Sequence, residues 1–172
     1  FVGRDGVGSG IFVNGELLKS SSGVCGEVGH VVVVPDGAQC HCGSRGCLET
    51  EATHQAVIKA FQALSVQGVR SKVKDLSFRS ICEGAAMGDK AAYLVLSRLA
   101  TFLAEALATA INISGANHVV IGGQLHLAGG KFLQDIEVVL RKRVVSPLLN
   151  QLSVQYASLA PYAGAWGAGV LA

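Results

Sequence analysis

Residues 26–49 read GEVGHVVVVPDGAQCHCGSRGCLE. Four side chains in this segment, His30, Cys40, Cys42 and Cys47, offer one imidazole and three thiolates, which is the donor set that tetrahedral structural zinc prefers. The spacing is a Cys-x-Cys pair, a third cysteine after four intervening residues, and a histidine ten residues before the first cysteine. Four protein ligands leave no open coordination position, so the predicted zinc is structural rather than catalytic.

Two glycines, Gly43 and Gly46, lie between the predicted ligands, where the backbone has to turn sharply to direct the cysteines at one ion. Glycine adopts the positive φ angles of such turns at little cost. His41 is a rival imidazole, but in an extended loop it points away from its two neighbours, so His30 is the preferred ligand. The competing interpretation is an incidental cluster of cysteines, since free cysteine is readily buried.

Composition limits the classes of function. The chain has 172 residues, of which 50% are hydrophobic and 15% are charged, so it is long enough to bury a core in one domain. Its 14 basic and 12 acidic residues include no basic run longer than Arg141-Lys142-Arg143, which favours neither DNA nor a membrane as a partner of these residues themselves. Apolar stretches are broken before they reach about 20 residues, so no membrane-spanning segment is predicted.

Cysteine usage indicates the compartment. Five cysteines, with three of them between positions 40 and 47, suit a thiolate metal site in a reducing environment better than a disulfide framework. We therefore expect a cytoplasmic protein, with Cys25 and Cys82 as small buried side chains. The opening residues Phe1-Val2-Gly3 show neither an initiator Met nor a signal pattern, which predicts that the 172 residues belong to a longer protein.

Periodicity predicts strands that alternate with helices. Asn14-Gly15 is the strongest turn signal and predicts a hairpin with arms at 11–13 and 16–18. Apolar spacing predicts helices over 48–64, 75–86, 89–113, 132–143 and 164–172. Strands are predicted at 118–121 and, after an interruption at Pro147, at 152–156. This order predicts an α/β layered domain.

The motifs at 26–30 and 40–49 together resemble the signature of the ROK family, which contains bacterial sugar-responsive repressors and sugar kinases. The resemblance extends more weakly over the whole chain. It implies an actin-like, ribonuclease-H-like pair of α/β lobes with a sugar bound in the cleft between them, of which residues 1–172 are the C-terminal, sugar-binding lobe. It also implies the same four zinc ligands that donor type and spacing indicate: His30, Cys40, Cys42 and Cys47.

The resemblance further implies three sugar contacts. In the family, the Glu of the Gly-Glu-x-Gly-His motif and the Glu after the last cysteine bind sugar hydroxyls, and the motif His also helps to place the sugar. These residues are Glu27, Glu49 and His30 here. Ionised carboxylates are strong acceptors for pyranose hydroxyls, and a rigid zinc loop between the two would hold both in place. Without the motif, an ordinary solvated carboxylate would be the better interpretation of either Glu.

Nucleotide contacts separate the kinases from the repressors. Four glycines are candidates for backbone N–H contacts to the phosphates of Mg-ATP: Gly6, Gly8, Gly122 and Gly123. Tight hairpin packing explains these glycines equally well. Kinases of the family usually have Gly-Thr before Gly-Val-Gly, whereas this chain has Arg4-Asp5, and a carboxylate repels a polyphosphate. Gln124 also follows Gly123 where kinases often have another glycine. The aspartate general base of a kinase would lie before residue 1.

These departures favour a regulator over an enzyme. The leading hypothesis is the sugar-sensing and oligomerisation lobe of a ROK-type transcriptional repressor, which binds a sugar or amino sugar and forms dimers or tetramers. It would reach DNA only through a winged helix-turn-helix upstream of residue 1. The alternatives are an ATP-dependent hexose or N-acylhexosamine kinase and a zinc-stabilised structural module.

Overall fold

The computed structural model describes residues 1–159 and Tyr162, and the final helix predicted at 164–172 lies outside these residues. Helices dominate the described part, which also contains four short strands. The elements are β1 (Phe12–Val13), β2 (Glu16–Leu17), α1 (Leu48–Ala52), α2 (His54–Val66), α3 (Phe78–Ala86), α4 (Lys90–Ser114), β3 (His118–Ile121), α5 (Gly129–Arg143), α6 (Ser146–Leu149) and β4 (Ser153–Tyr156). Two 3-10 turns cover Val28–His30 and Gln124–Ala128.

The long helix α4 forms the centre of the core. Asp89 caps its N-terminus by accepting a hydrogen bond from the Ala92 N–H at 3.0 Å, and Gly115 ends it in a left-handed conformation with φ +71°. It packs against α1, α2, α3 and α5. Its buried side chains are mainly Ala and Leu, which allow the neighbouring helices to approach closely: Ala91, Ala92, Val95, Leu96, Leu99, Ala100, Leu103, Ala104, Ala106, Ala108 and Ile111.

By length and composition alone, α4 is also apolar enough to cross a membrane. Half of its most apolar window is nevertheless buried inside the fold, against four other helices. The same apolar character is expected of a helix at the centre of a globular core. We therefore interpret α4 as a core helix.

The strands form two small sheets. β1 and β2 pair antiparallel around Asn14 (φ 53°) and Gly15 (φ 83°), which confirms the predicted hairpin. β3 and β4 pair parallel in a register that runs from His118 opposite Ser153 to Ile121 opposite Tyr156. Parallel pairing requires a crossover, and α5 with α6 provides it. The fold is therefore mixed α/β.

The elements predicted within the described residues are present, but several boundaries differ. The prediction of one continuous helix over 48–64 is wrong, because Thr53 has an extended conformation and separates α1 from α2. The Thr53 hydroxyl accepts a hydrogen bond from the Ala56 N–H and so caps α2. In the same way Ser77 caps α3, which begins at Phe78 rather than at 75. Apolar periodicity continues across such caps, so it does not reveal them.

Replacement of buried Leu99 by Ala is expected to lower the free energy of unfolding by about 2–5 kcal/mol, because the truncated side chain leaves a cavity in the centre of the core. The matched control is Leu94→Ala in the same helix, where the side chain is 42% exposed and the loss should stay below about 1 kcal/mol. Chemical denaturation of the full-length protein measures both. Equal losses would contradict the central position of α4.

One histidine is buried in the core. His54, at the start of α2, is 8% exposed and stacks on Phe78, with ring centroids 4.3 Å apart. Its Nε2 atom is buried and has no hydrogen-bond partner among the described residues. Burial lowers the pKa of His54, and the negative charge of Asp5 opposes that shift only in part.

His54 therefore predicts a pH dependence of stability. Because the folded-state pKa lies below the unfolded value of about 6.5, the unfolded chain binds more protons between the two values. The stabilisation is complete above pH 6.5 and is lost as the pH falls toward the folded-state pKa. Thermal melts of the full-length protein between pH 7.5 and 5 should fall less steeply for His54→Phe than for the wild type. Parallel curves would show that His54 does not contribute.

Candidate metal centre and sugar site

A short closed loop brings the predicted ligands together. Residues 31–34 run beside the end of the loop, where the Gly46 carbonyl accepts from the N–H groups of Val33 and Val34. Within the loop, the Cys40 N–H donates to the Ser44 carbonyl at 2.9 Å, and the Gly46 N–H donates to the Ala38 carbonyl at 2.8 Å. Backbone hydrogen bonds therefore hold the loop closed.

The loop depends on the glycine at position 46. Gly46 has φ +70°, and a Cβ there would overlap the Val34 carbonyl oxygen, so any other side chain would push the two segments apart. Gly43, with φ +95°, makes the turn but faces open space. Both glycines therefore have the positive φ angles that the sequence predicts, and Gly46 is also required by close packing.

The four predicted ligand atoms lie within 4.8 Å of one another. His30 Nδ1 is 3.5 Å from Cys40 Sγ, and Cys42 Sγ is 3.6 Å from Cys47 Sγ. With ordinary zinc bond lengths, the edges of a tetrahedron measure about 3.5 Å between N and S and about 3.8 Å between two S atoms. No disulfide involves these cysteines, all of which are free thiols. The donor set and its spacing therefore fit a tetrahedral zinc ion.

The three thiols differ in environment. Cys40 and Cys47 are buried, whereas Cys42 is exposed. Burial raises the pKa of Cys47 to about 11, while a backbone hydrogen bond at Ser44 lowers the pKa of Cys42. Before any metal binds, Cys47 is therefore protonated at neutral pH. A divalent cation held here would have to displace that proton, since thiolates and not thiols are metal ligands.

The rival imidazole, His41, has different contacts. Its Nδ1 lies 3.0 Å from Glu49 Oε1 and 4.0 Å from Cys40 Sγ. The ring stands edge-on to that of His30, with the centroids 5.2 Å apart. His41 therefore does not complete the group of three cysteines, but together with His30 and Glu49 it forms a second group with ligand atoms within 4.8 Å of one another.

The two predicted sugar-binding carboxylates border these imidazoles. Glu27 Oε2 lies 3.6 Å from His30 Nε2, the ring nitrogen opposite the one that faces Cys40. Glu49 is the second residue of α1, and its Oε2 accepts a hydrogen bond from the Val7 N–H at 3.2 Å. Glu27, His30, His41 and Glu49 thus form a continuous row of polar groups beside the four-ligand cluster.

Three of the predicted nucleotide-binding glycines, Gly8, Gly122 and Gly123, meet around the first two residues, whereas the Gly6 carbonyl accepts from the Gly3 N–H at 2.9 Å. The Gly8 N–H donates to the Phe1 carbonyl, and the Val2 N–H donates to the Gly122 carbonyl. At Gly123, with φ +83°, a Cβ would overlap the Val2 carbonyl oxygen. Close backbone packing therefore accounts for Gly123 without a ligand, which is the second of the two interpretations that the sequence allows, whereas a side chain at position 8 would meet open space.

Two contacts were not predicted from the sequence. The Val7 N–H and the His41 imidazole both reach Glu49, so Glu49 joins the glycine-rich loop at residues 6–10 to the cysteine loop. The position of His41 between two cysteines is a local signal for the second contact. No local signal exists for the first, because 42 residues separate Val7 from Glu49.

The histidines and cysteines without a predicted role have ordinary structural positions. Cys82 is buried as predicted, but Cys25 is only half-buried, so that prediction is wrong for Cys25. The His126 Nδ1 atom lies 3.0 Å from the Gly123 carbonyl oxygen, and His118 contacts the Ser153 hydroxyl across the β3–β4 pair.

This fold is shared by solved structures of both transcriptional regulators and sugar kinases. The structure superposes with a TM-score of 0.83 on a ROK family transcriptional regulator homologous to the Escherichia coli MLC protein, at 33% sequence identity, over 90% of this chain and 40% of that one. It superposes with a TM-score of 0.85 on a ROK family glucokinase from Streptomyces griseus in complex with glucose and AMPPNP, at 27% identity, over 99% of this chain and 58% of that one.

The sequence gives the family. The ROK family profile matches residues 2–172, and the chain therefore belongs to the ROK family. The DNA-binding transcriptional dual regulator NagC of Escherichia coli K12 is 34% identical over 151 residues, which cover 87% of this chain and 37% of NagC. The chain thus spans well under two thirds of the length of these relatives.

Metal analysis checks the four-ligand cluster. Full-length protein purified without a chelator should contain about one zinc ion per chain at this site, and Cys42→Ser should reduce that content to below about 0.2 and lower the thermal midpoint. Cys25→Ser is the matched control, because Cys25 lies outside the cluster, and it should keep the metal. Full zinc content in Cys42→Ser would contradict the proposed ligand set.

Proposed function

We propose that this chain is the sugar-sensing C-terminal lobe of a ROK-type transcriptional regulator, with a structural zinc ion held by His30, Cys40, Cys42 and Cys47. The observation that carries the proposal is the row formed by Glu27, His30, His41 and Glu49 beside that cluster. Two carboxylates at the two ends of this row can each accept hydrogen bonds from sugar hydroxyls.

The zinc ion would act on the sugar site indirectly. A divalent cation on His30 Nδ1 fixes the imidazole plane, which directs Nε2 toward Glu27 and toward the sugar. It also holds the cysteine loop, which carries His41 and leads directly into Glu49 at the start of α1. Zinc supplies rigidity in this proposal, and the sugar is held by the protein's own oxygen and nitrogen atoms.

The preference for a regulator rests on the loop at residues 3–6. Asp5 is exposed, and within residues 1–159 its one ion-pair partner is Arg4, at 3.8 Å. An exposed carboxylate repels the negatively charged phosphates of a nucleotide that approaches this loop. The similarity to the E. coli regulator NagC supports the same preference. On this proposal the site responds to a sugar but does not phosphorylate it.

An N-acetylated amino sugar is the first ligand to test. Proteins described as N-acetylglucosamine repressors, including that of Shigella flexneri, are 34% identical to this chain. Binding would close the lobes around the sugar and change the affinity for DNA, because the sugar binds the two arrangements of the lobes unequally. DNA would be contacted by a winged helix-turn-helix outside these 172 residues. We further propose a cytoplasmic dimer or tetramer, in keeping with reduced thiols at the zinc site.

The alternative is an ATP-dependent sugar kinase. It is supported by the superposition on the glucokinase that binds glucose and AMPPNP, which covers 99% of this chain. In that case Gly6, Gly8, Gly122 and Gly123 would approach the phosphates of Mg-ATP. A zinc-stabilised module without a sugar ligand is the third candidate.

A sugar panel tested on the full-length protein distinguishes these candidates. N-acetylglucosamine, glucose or xylose should raise the thermal midpoint as the concentration exceeds Kd, because the ligand binds only the folded state. Coupled assays with Mg-ATP should stay at background for every sugar.

Glu49→Gln should weaken sugar binding about tenfold or more through the loss of a charge-assisted acceptor.

Glu16→Gln is the matched control, because Glu16 is an exposed carboxylate on β2 and should leave the affinity unchanged. Turnover well above background would replace the regulator by the kinase. A complete absence of binding across the panel would leave only the structural module.

A further inference from the structure

The carboxylate of Glu49 is held at both oxygen atoms. Oε2 accepts from the Val7 N–H at 3.2 Å, and Oε1 lies 3.0 Å from His41 Nδ1. The Glu49 side chain is only 15% exposed, so these two contacts determine its orientation. Each oxygen has two acceptor positions, and one on each oxygen therefore remains for a hydroxyl group.

His41 has the opposite character. Its side chain is 73% exposed, so it contributes little to the core. A carboxylate only accepts hydrogen bonds, so Glu49 selects the form of His41 that carries a proton on Nδ1. The His41 backbone is constrained on both sides, because the Cys40 carbonyl accepts from the Gly43 N–H at 3.1 Å and the Cys40 N–H donates to Ser44. The imidazole is therefore an exposed side chain on a constrained backbone, and it is directed at a mostly buried carboxylate.

We propose that His41 is a positioning residue that fixes the Glu49 carboxylate for the hydroxyl groups of the sugar. This inference rests on the proposed sugar-binding function and adds a residue to it. The histidine connects the cysteine loop to the sugar site, since its ring also stands edge-on to His30 at 5.2 Å. Without the Nδ1–H donor, Glu49 Oε1 turns toward water and the carboxylate loses its fixed direction. Hydrogen bonds that depend on direction are those that distinguish sugar epimers.

The same geometry permits one other use of His41. His30, His41 and Glu49 place ligand atoms within 4.8 Å of one another, which is close enough for a second cation. The short contact between His41 and Glu49 favours a direct hydrogen bond over that use, because each is already the partner of the other. Metal content separates the two possibilities.

The experiment compares three variants of the full-length protein. His41→Ala removes the donor, whereas His41→Asn places a side-chain N–H near the position of Nδ1. Arg45→Ala is the matched control, because Arg45 is exposed on the same loop and contacts Gln39 rather than Glu49. Calorimetry measures the affinity for N-acetylglucosamine and for its epimer N-acetylmannosamine. Zinc content and the sugar-free thermal midpoint are measured on the same samples.

We expect His41→Ala to weaken binding of the preferred epimer about tenfold to a hundredfold and to reduce the ratio between the epimers. His41→Asn should recover most of the affinity, and Arg45→Ala should match the wild type. Zinc content and midpoint should not change in any of them.

Three results would overturn the positioning role. Wild-type affinity and epimer ratio in His41→Ala would show that His41 does not orient Glu49. A fall in zinc content from two ions to one in that variant would make His41 a metal ligand, and loss of zinc together with a lower midpoint would make its role structural. If the wild type binds neither epimer nor any sugar of the panel, the proposed function itself fails, and the role of His41 fails with it.

Discussion

The convergence of His30, Cys40, Cys42 and Cys47 within 4.8 Å is the constraint on which the site depends. Three of the four ligands come from a loop of eight residues, which backbone hydrogen bonds and the close approach of Gly46 to Val34 hold shut. The fourth comes from a 3-10 turn ten residues earlier. A tetrahedral cation would join these two segments, so their relative orientation would no longer depend on side-chain packing alone.

Glu49 would transmit that rigidity to the remainder of the fold. It follows the last cysteine by two residues and is the second residue of α1, which packs directly on the central helix α4. Its carboxylate also contacts the backbone of Val7 in the glycine-rich loop. A ligand that engages Glu49 therefore touches the cysteine loop, the core and the glycine-rich loop at one point. Such a position suits a sensor, in which a small ligand has to bias the arrangement of large elements.

The glycines illustrate how one pattern allows two interpretations. Gly-rich segments at 6–10 and 122–123 are typical of phosphate-binding backbones and also of close chain packing. In the structure they surround Phe1 and Val2, where Gly8 and Gly123 are engaged in backbone contacts. The periodicity of the helices has a similar limit, because Thr53 interrupts a continuous apolar pattern only through its capping hydroxyl. Local patterns identify which elements form, whereas capping and packing choose their exact ends.

The sequence by itself determined the hairpin at Asn14-Gly15, the strand 118–121, the central helix and the three clustered cysteines, because each depends on residue type and short spacing. The sequence favoured His30 over His41 as their partner, but only the tertiary structure decided which imidazole joins the cysteines and which one meets Glu49. That choice depends on how residues 28–34 lie beside the loop, and such a relation between distant segments has no periodic signature. The hydrogen bond from Val7 to Glu49 was decided in the same way, by two chain segments that meet only when the core forms.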